Sequence, residues 1–409
     1  MSRLFGAASA LALLAAVGAA DAQAQQQGPT VIQGEHGRTQ TGAPEATGPA
    51  ATRQEGGTAE TTVTGGEQQG EGQGSEAAAA AAEQLPTVVI VATGGTIAMK
   101  INPETGGPVP ALSGEDLVAA VPELEGLADI RVVEFSNIPS DYMGPELWPG
   151  LTKAVDEALA DPGVAGVVVT HGTDTLEETA YFLDLTLESD KPVVAIGAQR
   201  SASEADTDGP RNLHAAVTQV LAEDAAGRGV TVTLNHYINA AREVRKTHTH
   251  NVDAFASGDY GYLGYVYLDD RVVFFREPER RQKLPLPEEL PRVDLIAMYS
   301  GADGGYVRHA ADTGAEGIVV EAFGLGNVNE PMYEAIEYAI DKGVPVVIST
   351  RVYDGSVLPA YGFKGGGATL EEIGAVFAGD LTPSKARILL MLALAQTKDR
   401  EELQAYFDK

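Results

Sequence analysis

The chain predicts an α/β protein with a large, doubly wound, mostly parallel sheet and a second, smaller α/β unit behind it. Three observations carry this. From Leu85 onward, Val- and Ile-rich runs alternate with stretches whose apolar residues recur at helical spacing. The runs are apolar on both faces, as strands covered on both sides must be. Two of them end abruptly in glycine and threonine, Val88-Val89-Ile90-Val91-Ala92-Thr93-Gly94-Gly95-Thr96-Ile97-Ala98 and Val167-Val168-Val169-Thr170-His171-Gly172-Thr173-Asp174-Thr175.

The first half of the globular part supplies strands at Thr87–Ala92, Ile130–Phe135, Gly166–Thr170, Pro192–Gly197 and Val230–Leu234. Helices are expected between them. Pro145–Leu159 has proline in its first turn, Thr175–Leu187 follows an aspartate in N-cap position, and Asp208–Leu221 has Pro210 near its start. This βαβα order implies parallel pairing with helices on both faces. After Leu234 the rhythm changes. Tyr262–Leu268 and Val272–Phe275, joined by Asp269-Asp270, suggest a hairpin, and Leu284-Pro285-Leu286-Pro287 through Leu290-Pro291 reads as a linker.

A second α/β unit follows, with strands at Val293–Met298, Gly317–Glu321 and Val344–Thr350. Its helices are expected at Gly304–Thr313, Asn329–Asp341, Thr382–Leu394 and Asp399–Phe407. The domain boundary is placed near Pro291, giving domains over 85–290 and 291–409.

The first 84 residues differ from the rest. Met1–Ala24 has Arg3 at its start, an apolar segment from Ala7 to Ala20 and a small-x-small site at Ala22-Gln23-Ala24, which reads as a cleaved secretory signal. Gln25–Gln84 is rich in Gly, Glu, Gln, Thr and Ala without apolar periodicity, as in a flexible, low-complexity linker. The mature protein is expected in the periplasm or outside the cell, with no membrane attachment.

Composition excludes several classes. The chain of 409 residues has no cysteine, so disulfides, thiolate nucleophiles and Cys-ligated metal centres are excluded. Its formal net charge of −30 opposes binding to nucleic acid. There is no Walker A, HExxH or GxSxG pattern, and Gly324-Leu325-Gly326-Asn327-Val328-Asn329 lacks the third glycine of a dinucleotide loop. His248 and His250 are read as solvated or structural rather than metal ligands. No cofactor and no metal are expected.

The candidate chemistry lies at the two marked strand ends and one later segment. In open α/β sheets ligands bind beyond the carboxyl ends of strands. Thr96 therefore stands where a hydroxyl can act. Thr173 and Asp174 open a helix, whose free N–H groups favour a carboxylate; the competing reading is that Asp174 merely caps that helix. In Ala241-Arg242-Glu243-Val244-Arg245-Lys246-Thr247, Lys246 is either a solvated charge or a proton carrier for a hydroxyl that needs a neighbouring base.

Thr93-Gly94-Gly95-Thr96-Ile97-Ala98 and His171-Gly172-Thr173-Asp174-Thr175 resemble the paired signatures of bacterial type II, periplasmic L-asparaginases and glutaminase-asparaginases. The stretch from Gly197-Ala198-Gln199-Arg200 through Asp208-Gly209-Pro210-Arg211-Asn212-Leu213 and the Lys246 segment support the match, which covers Leu85 to the C-terminus. The resemblance implies the two-domain asparaginase-like fold and hydrolysis of L-asparagine to L-aspartate and ammonia through a threonine ester. It implies Thr96 as the threonine that forms the ester and Thr173, Asp174 and Lys246 as a second triad, in which Thr173 and Lys246 move protons and Asp174 binds the substrate's amino group; the sequence leaves open which of the two threonines attacks first. Ser140 matches a serine that holds the α-carboxylate, Asp141 falls where many relatives place glutamine, and Ala198 matches a carbonyl that contacts the leaving amide. Asn329 matches an asparagine supplied across a subunit interface, and a homotetramer built from dimers is implied. Backbone N–H groups near Thr96 and Thr173 suit an oxyanion, at about 3–4 kcal/mol per donor in other acyl-transfer sites.

Two departures stand out. Met99–Leu112 has no aromatic residue where many relatives carry a lid tyrosine, so Tyr142 is a candidate replacement. Leu358-Pro359-Ala360-Tyr361-Gly362-Phe363-Lys364-Gly365-Gly366-Gly367 has no acid where relatives contribute a glutamate. The rival readings are a broader glutaminase-asparaginase, a non-catalytic amino-acid binding protein, and the amidase component of a tRNA amidotransferase, which a secretory signal opposes.

Overall fold

The structure, a computed structural model, describes residues 85–279 and 282–408. The expected signal over 1–24 and linker over 25–84 therefore lie outside the described residues.

The larger sheet has eight strands, in the spatial order Val272–Phe274, Gly264–Val266, Tyr237–Ala240, Val230–Leu234, Val193–Ile196, Val164–Thr170, Thr87–Gly94, Asp129–Ile138. The last five are mutually parallel, and the first three add an antiparallel edge. Counted along the chain, the parallel strands run 2-1-3-4-5, an order that reverses direction between the first and third. Ligand crevices form at such a reversal.

Alternation along the first strand builds both halves of the core. Val89 and Val91 face the helices Trp148–Ala160 and Leu176–Thr186, with Leu151, Val155, Leu176 and Leu183. Val88 and Ile90 face the opposite layer, with Leu117, Leu213 and Val217 from the helices Gly114–Ala119 and Gly209–Val220. The sheet is thus covered on both sides, as its uninterrupted apolar strands require.

The smaller sheet is parallel and ordered as in the chain: Val293–Ala297, Gly317–Ala322, Val346–Thr350, Val376–Phe377. The nearly all-buried helix Pro383–Leu394 packs on it. One apolar cluster joins the two units, because the other side of the helix Leu176–Thr186 gives Tyr181, Phe182 and Leu185 to the same core as Ile318, Ile348 and Leu389. The proline-rich stretch after Gln282 is packed rather than loose: Leu284 is buried, and its N–H donates to Leu185 O at 2.8 Å.

The main elements follow the expected alternation, and the differences have local causes. The strand Tyr237–Ala240 was not expected, because the turn before it, Asn235-His236, has no glycine. Both residues nevertheless take positive φ, 49° and 70°, as a two-residue hairpin demands. The helix expected from Pro145 starts at Trp148, since a turn closed by Leu147 N–H and Trp148 N–H onto Gly144 O precedes it. The segment Met99–Ile101 pairs with Pro108–Pro110 as a small hairpin, unseen in sequence because each arm is only three residues long.

Candidate active site

Two loops at the reversal point carry the site. Strand register sets Ala92 beside Thr170, so the loops after both strands emerge side by side. Thr93 Oγ1 donates to Thr170 O at 2.8 Å and ties the strand ends together. The chain then turns through Gly94 and Gly95, with φ of 103° and 82°. A Cβ on Gly95 would lie 2.2 Å from both the Cα and the N of Gly172. The loops are therefore in direct backbone contact, which only glycine permits at this point. Thr96 follows at the start of a short 3₁₀ turn, partly exposed, and its hydroxyl makes no hydrogen bond to another described residue.

Thr173 is buried, and its surroundings are polar and specific. Lys246 Nζ donates to Thr173 Oγ1 at 2.9 Å and to Asp174 Oδ1 at 2.5 Å. The lysine stem is largely covered while the Asp174 carboxylate faces solvent. Lys246 sits on a two-residue strand, Arg245–Lys246, paired with Phe255–Ala256, and its N–H donates to Glu177 Oε2 at 2.5 Å. A cavity of about 390 Å³ opens against Asp174, Glu177, Lys246, Thr247, His248 and Thr249.

The capping reading of Asp174 is overturned. The helix begins at Leu176 with Thr175 at the N-cap, and among the described residues no side chain caps it. Asp174 turns instead to Lys246. Thr175 Oγ1 donates to Ser140 O at 2.7 Å. That bond fixes the buried Ser140 beside the second loop, where a Cβ on Gly172 would meet Ser140 Oγ at 2.7 Å. Asp141 and Tyr142 follow on the same short turn and are exposed, Tyr142 by 72%.

His171 is structural. Its ring is fully buried, Nδ1 lies 2.7 Å from Gly172 O, and burial pushes the imidazole down to about 4, so it is neutral at ordinary pH. Ala198 is buried at the end of the strand Val193–Ile196. Its loop is held by Asp208, whose carboxylate accepts from Gln199 N–H at 3.1 Å and Arg200 N–H at 3.0 Å, and by Asn212, which donates to Gly197 O at 2.9 Å. Asp208 and Asn212 thus shape the Ala198 turn. Their signal in sequence was the Asp-Gly-Pro helix start, but spacing alone does not reveal a bond that runs backwards to the loop.

Asn329 is not brought to this cluster within the chain. It caps the helix Glu330–Asp341, accepting from Met332 N–H at 3.0 Å and donating to Ala302 O at 2.8 Å. The hairpin after Thr96 is tied down by Ala202 N–H to Met99 O and Ile101 N–H to Ser203 Oγ, both 3.0 Å. In the segment 358–367 Tyr361 and Phe363 are exposed and face each other at 5.8 Å. His248 accepts from His250 N–H and Asn251 N–H through Nδ1. Among the described residues no group of three or more His, Cys, Asp or Glu has the geometry to hold a metal ion.

Fold and site together define a class: an α/β protein with two threonine loops abutting at a sheet reversal and a lysine–aspartate pair behind one of them. Comparison with known proteins gives the family. Residues 87–280 match the family model described as asparaginase, N-terminal, and residues 292–407 match the glutaminase/asparaginase C-terminal domain. The chain is 40% identical over 335 residues to a probable periplasmic L-asparaginase of Haemophilus influenzae, covering 80% of this chain and 94% of that protein. It is 37% identical over 333 residues to L-asparaginase 2 of Escherichia coli, covering 80% and 93%. A crystal structure of a probable cytoplasmic L-asparaginase from Campylobacter jejuni superposes with a TM-score of 0.72 at 40% identity, over 79% of this chain and 99% of that one. The chain belongs to the type II asparaginase family.

Proposed function

We propose that this protein hydrolyses the side-chain amide of L-asparagine, giving L-aspartate and ammonia through an ester on Thr96. The observation that carries the reading is the bridge from Lys246 Nζ to both Thr173 and Asp174, in a loop whose Gly172 backbone touches Gly95, the residue before Thr96. Binding alone has no need of two hydroxyls and an amine.

In this scheme Asp174 receives the substrate's α-amino group and Ser140 its α-carboxylate, with Asp141 beside it. Thr96 Oγ attacks the amide carbon, a C–O bond forms, and the hydroxyl proton leaves through the Thr173–Lys246 pair. Backbone N–H groups of the two loops hold the oxyanion. The C–N bond then breaks, and ammonia departs past the Ala198 carbonyl with the proton returned to it. Water, activated by the same pair, opens the ester and frees aspartate. The cycle uses only side chains, backbone and water.

Ammonia release from asparagine and from glutamine over a concentration series tests the activity and its breadth. Turnover of asparagine is expected. Saturable asparagine binding without ammonia supports the amino-acid binding protein instead, and equal turnover of glutamine supports a glutaminase-asparaginase.

The same reading extends to the whole protein. The leader over 1–24 is removed after Ala24 and the linker over 25–84 tethers a periplasmic or secreted enzyme with domains over 85–290 and 291–409; one relative is named periplasmic. The protein assembles as a homotetramer of dimers in which Asn329 serves a neighbour's site. An intact mass that retains the first 24 residues, or an active monomer in light scattering, contradicts these two statements.

A further inference from the structure

Lys385 is the unusual residue of the C-terminal unit. It lies on the apolar helix Pro383–Leu394 with 0% of its surface exposed. Lysine is almost never fully buried without a carboxylate partner, yet among the described residues no carboxylate lies within ion-pair distance of it. Its amine donates to two backbone carbonyls instead, Arg242 O at 3.0 Å and Val244 O. Both belong to the turn that leads directly into Arg245 and Lys246. The same turn is held from the same unit by Asp380, which takes Arg242 in two parallel bonds of 2.7 Å. Nothing in the site as described above uses Lys385, because it touches neither threonine.

We propose that Lys385 is a positioning residue for Lys246: by holding the carbonyls of Arg242 and Val244 it fixes the segment that presents Lys246 to Thr173, and its charge sets how firmly. The inference rests on the reading of Lys246 as proton carrier. A charged N–H donor binds a carbonyl roughly twice as strongly as a neutral one, so loss of the charge slackens the turn without removing it. A small displacement of Lys246 from the Thr173 hydroxyl suffices to slow proton transfer while substrate binding through Asp174 and Ser140 persists.

The environment brings that change into the accessible pH range. Burial pushes the Lys385 amine down to about 8, with Glu177 and Glu243 opposing and Arg242 and Arg245 adding to the fall. Glu178 and the Tyr181 ring, from the helix Leu176–Thr186, also face it. The amine is therefore charged below about 8 and loses its proton as pH rises through that value. The expected signature is a fall in kcat across that interval, with KM little changed.

The test is the pH profile of kcat and KM for the full chain with asparagine, in the parent, Lys385→Arg, Lys385→Met and Lys246→Met. Lys385→Met is expected to lower kcat about 10- to 100-fold at neutral pH, with KM within about twofold, and to remove the fall near pH 8. Lys385→Arg keeps a charge that does not titrate, so the fall moves to higher pH. Should the arginine be too large to fold, the methionine profile decides alone. A Lys385→Met enzyme with the parent's profile, beside an inactive Lys246→Met, overturns the positioning role and leaves the proton-carrier reading intact. An active Lys246→Met overturns both.

Discussion

The two threonines occupy matching positions on adjacent strand ends, but their surroundings differ. Thr96 is partly exposed with a hydroxyl free of any described partner, whereas Thr173 is buried and takes a hydrogen bond from Lys246. A free, partly exposed hydroxyl is available to a substrate. A hydroxyl held by an amine, itself held by a carboxylate, is arranged to pass protons. In the proposed scheme similar loop chemistry serves two roles, and the structural difference between the loops is the segment 245–246, whose Lys246 bonds Thr173.

Substitutions can break this division. Thr96→Ala removes the oxygen proposed to attack and is expected to cut kcat by several orders of magnitude with the fold retained, read by ammonia release and circular dichroism. Thr173→Ala and Lys246→Met remove the proton carriers of the proposed scheme, the second also freeing Asp174 from its partner, and are expected to cost about 100- to 10,000-fold. Activity near the parent level in any of the three counts against the assignment. Gly95→Ala drives a Cβ into the Gly172 backbone and combines a clash with φ of 82°. It is expected to lower the melting temperature and abolish activity together, unlike the threonine variants, which spare stability.

The mildest expected effect is a pH effect at the clasp between the units. Burial raises the Asp380 carboxyl, but its bonds from Arg242 outweigh this and hold it down at about 2. A carboxylate depressed in the folded state stabilises the fold above its ordinary value of 3.8, and that contribution disappears as pH falls toward about 2. Asp380→Asn should flatten the acid limb of the melting-temperature profile through this window. An unchanged limb means the clasp does not contribute there.

Much of this was legible in the sequence, because parallel strands buried on both faces write themselves as continuous apolar runs. The glycine–threonine endings of Val88–Ile97 and Val167–Thr173 marked the place where two loops abut, because a backbone that must touch another backbone needs glycine. What was not legible runs through side chains that bond backwards or across units. Asp208 holding Gln199 and Arg200, and Glu177 holding the Lys246 N–H, follow from tertiary placement alone. Asp174 had the position of a helix cap and was drawn off by Lys246. Lys385 left a trace, one charge inside Pro383–Leu394 beside a second at Arg387, but amphipathic helices carry such residues routinely, and burial distinguished it.

The division of labour is tested most directly by trapping the covalent intermediate in Thr173→Ala during turnover of asparagine and mapping the modified peptide by mass spectrometry. The expected result is an aspartyl ester on the peptide that contains Thr96. An ester on Thr173 in the parent enzyme, or full turnover by Thr96→Ala, contradicts it.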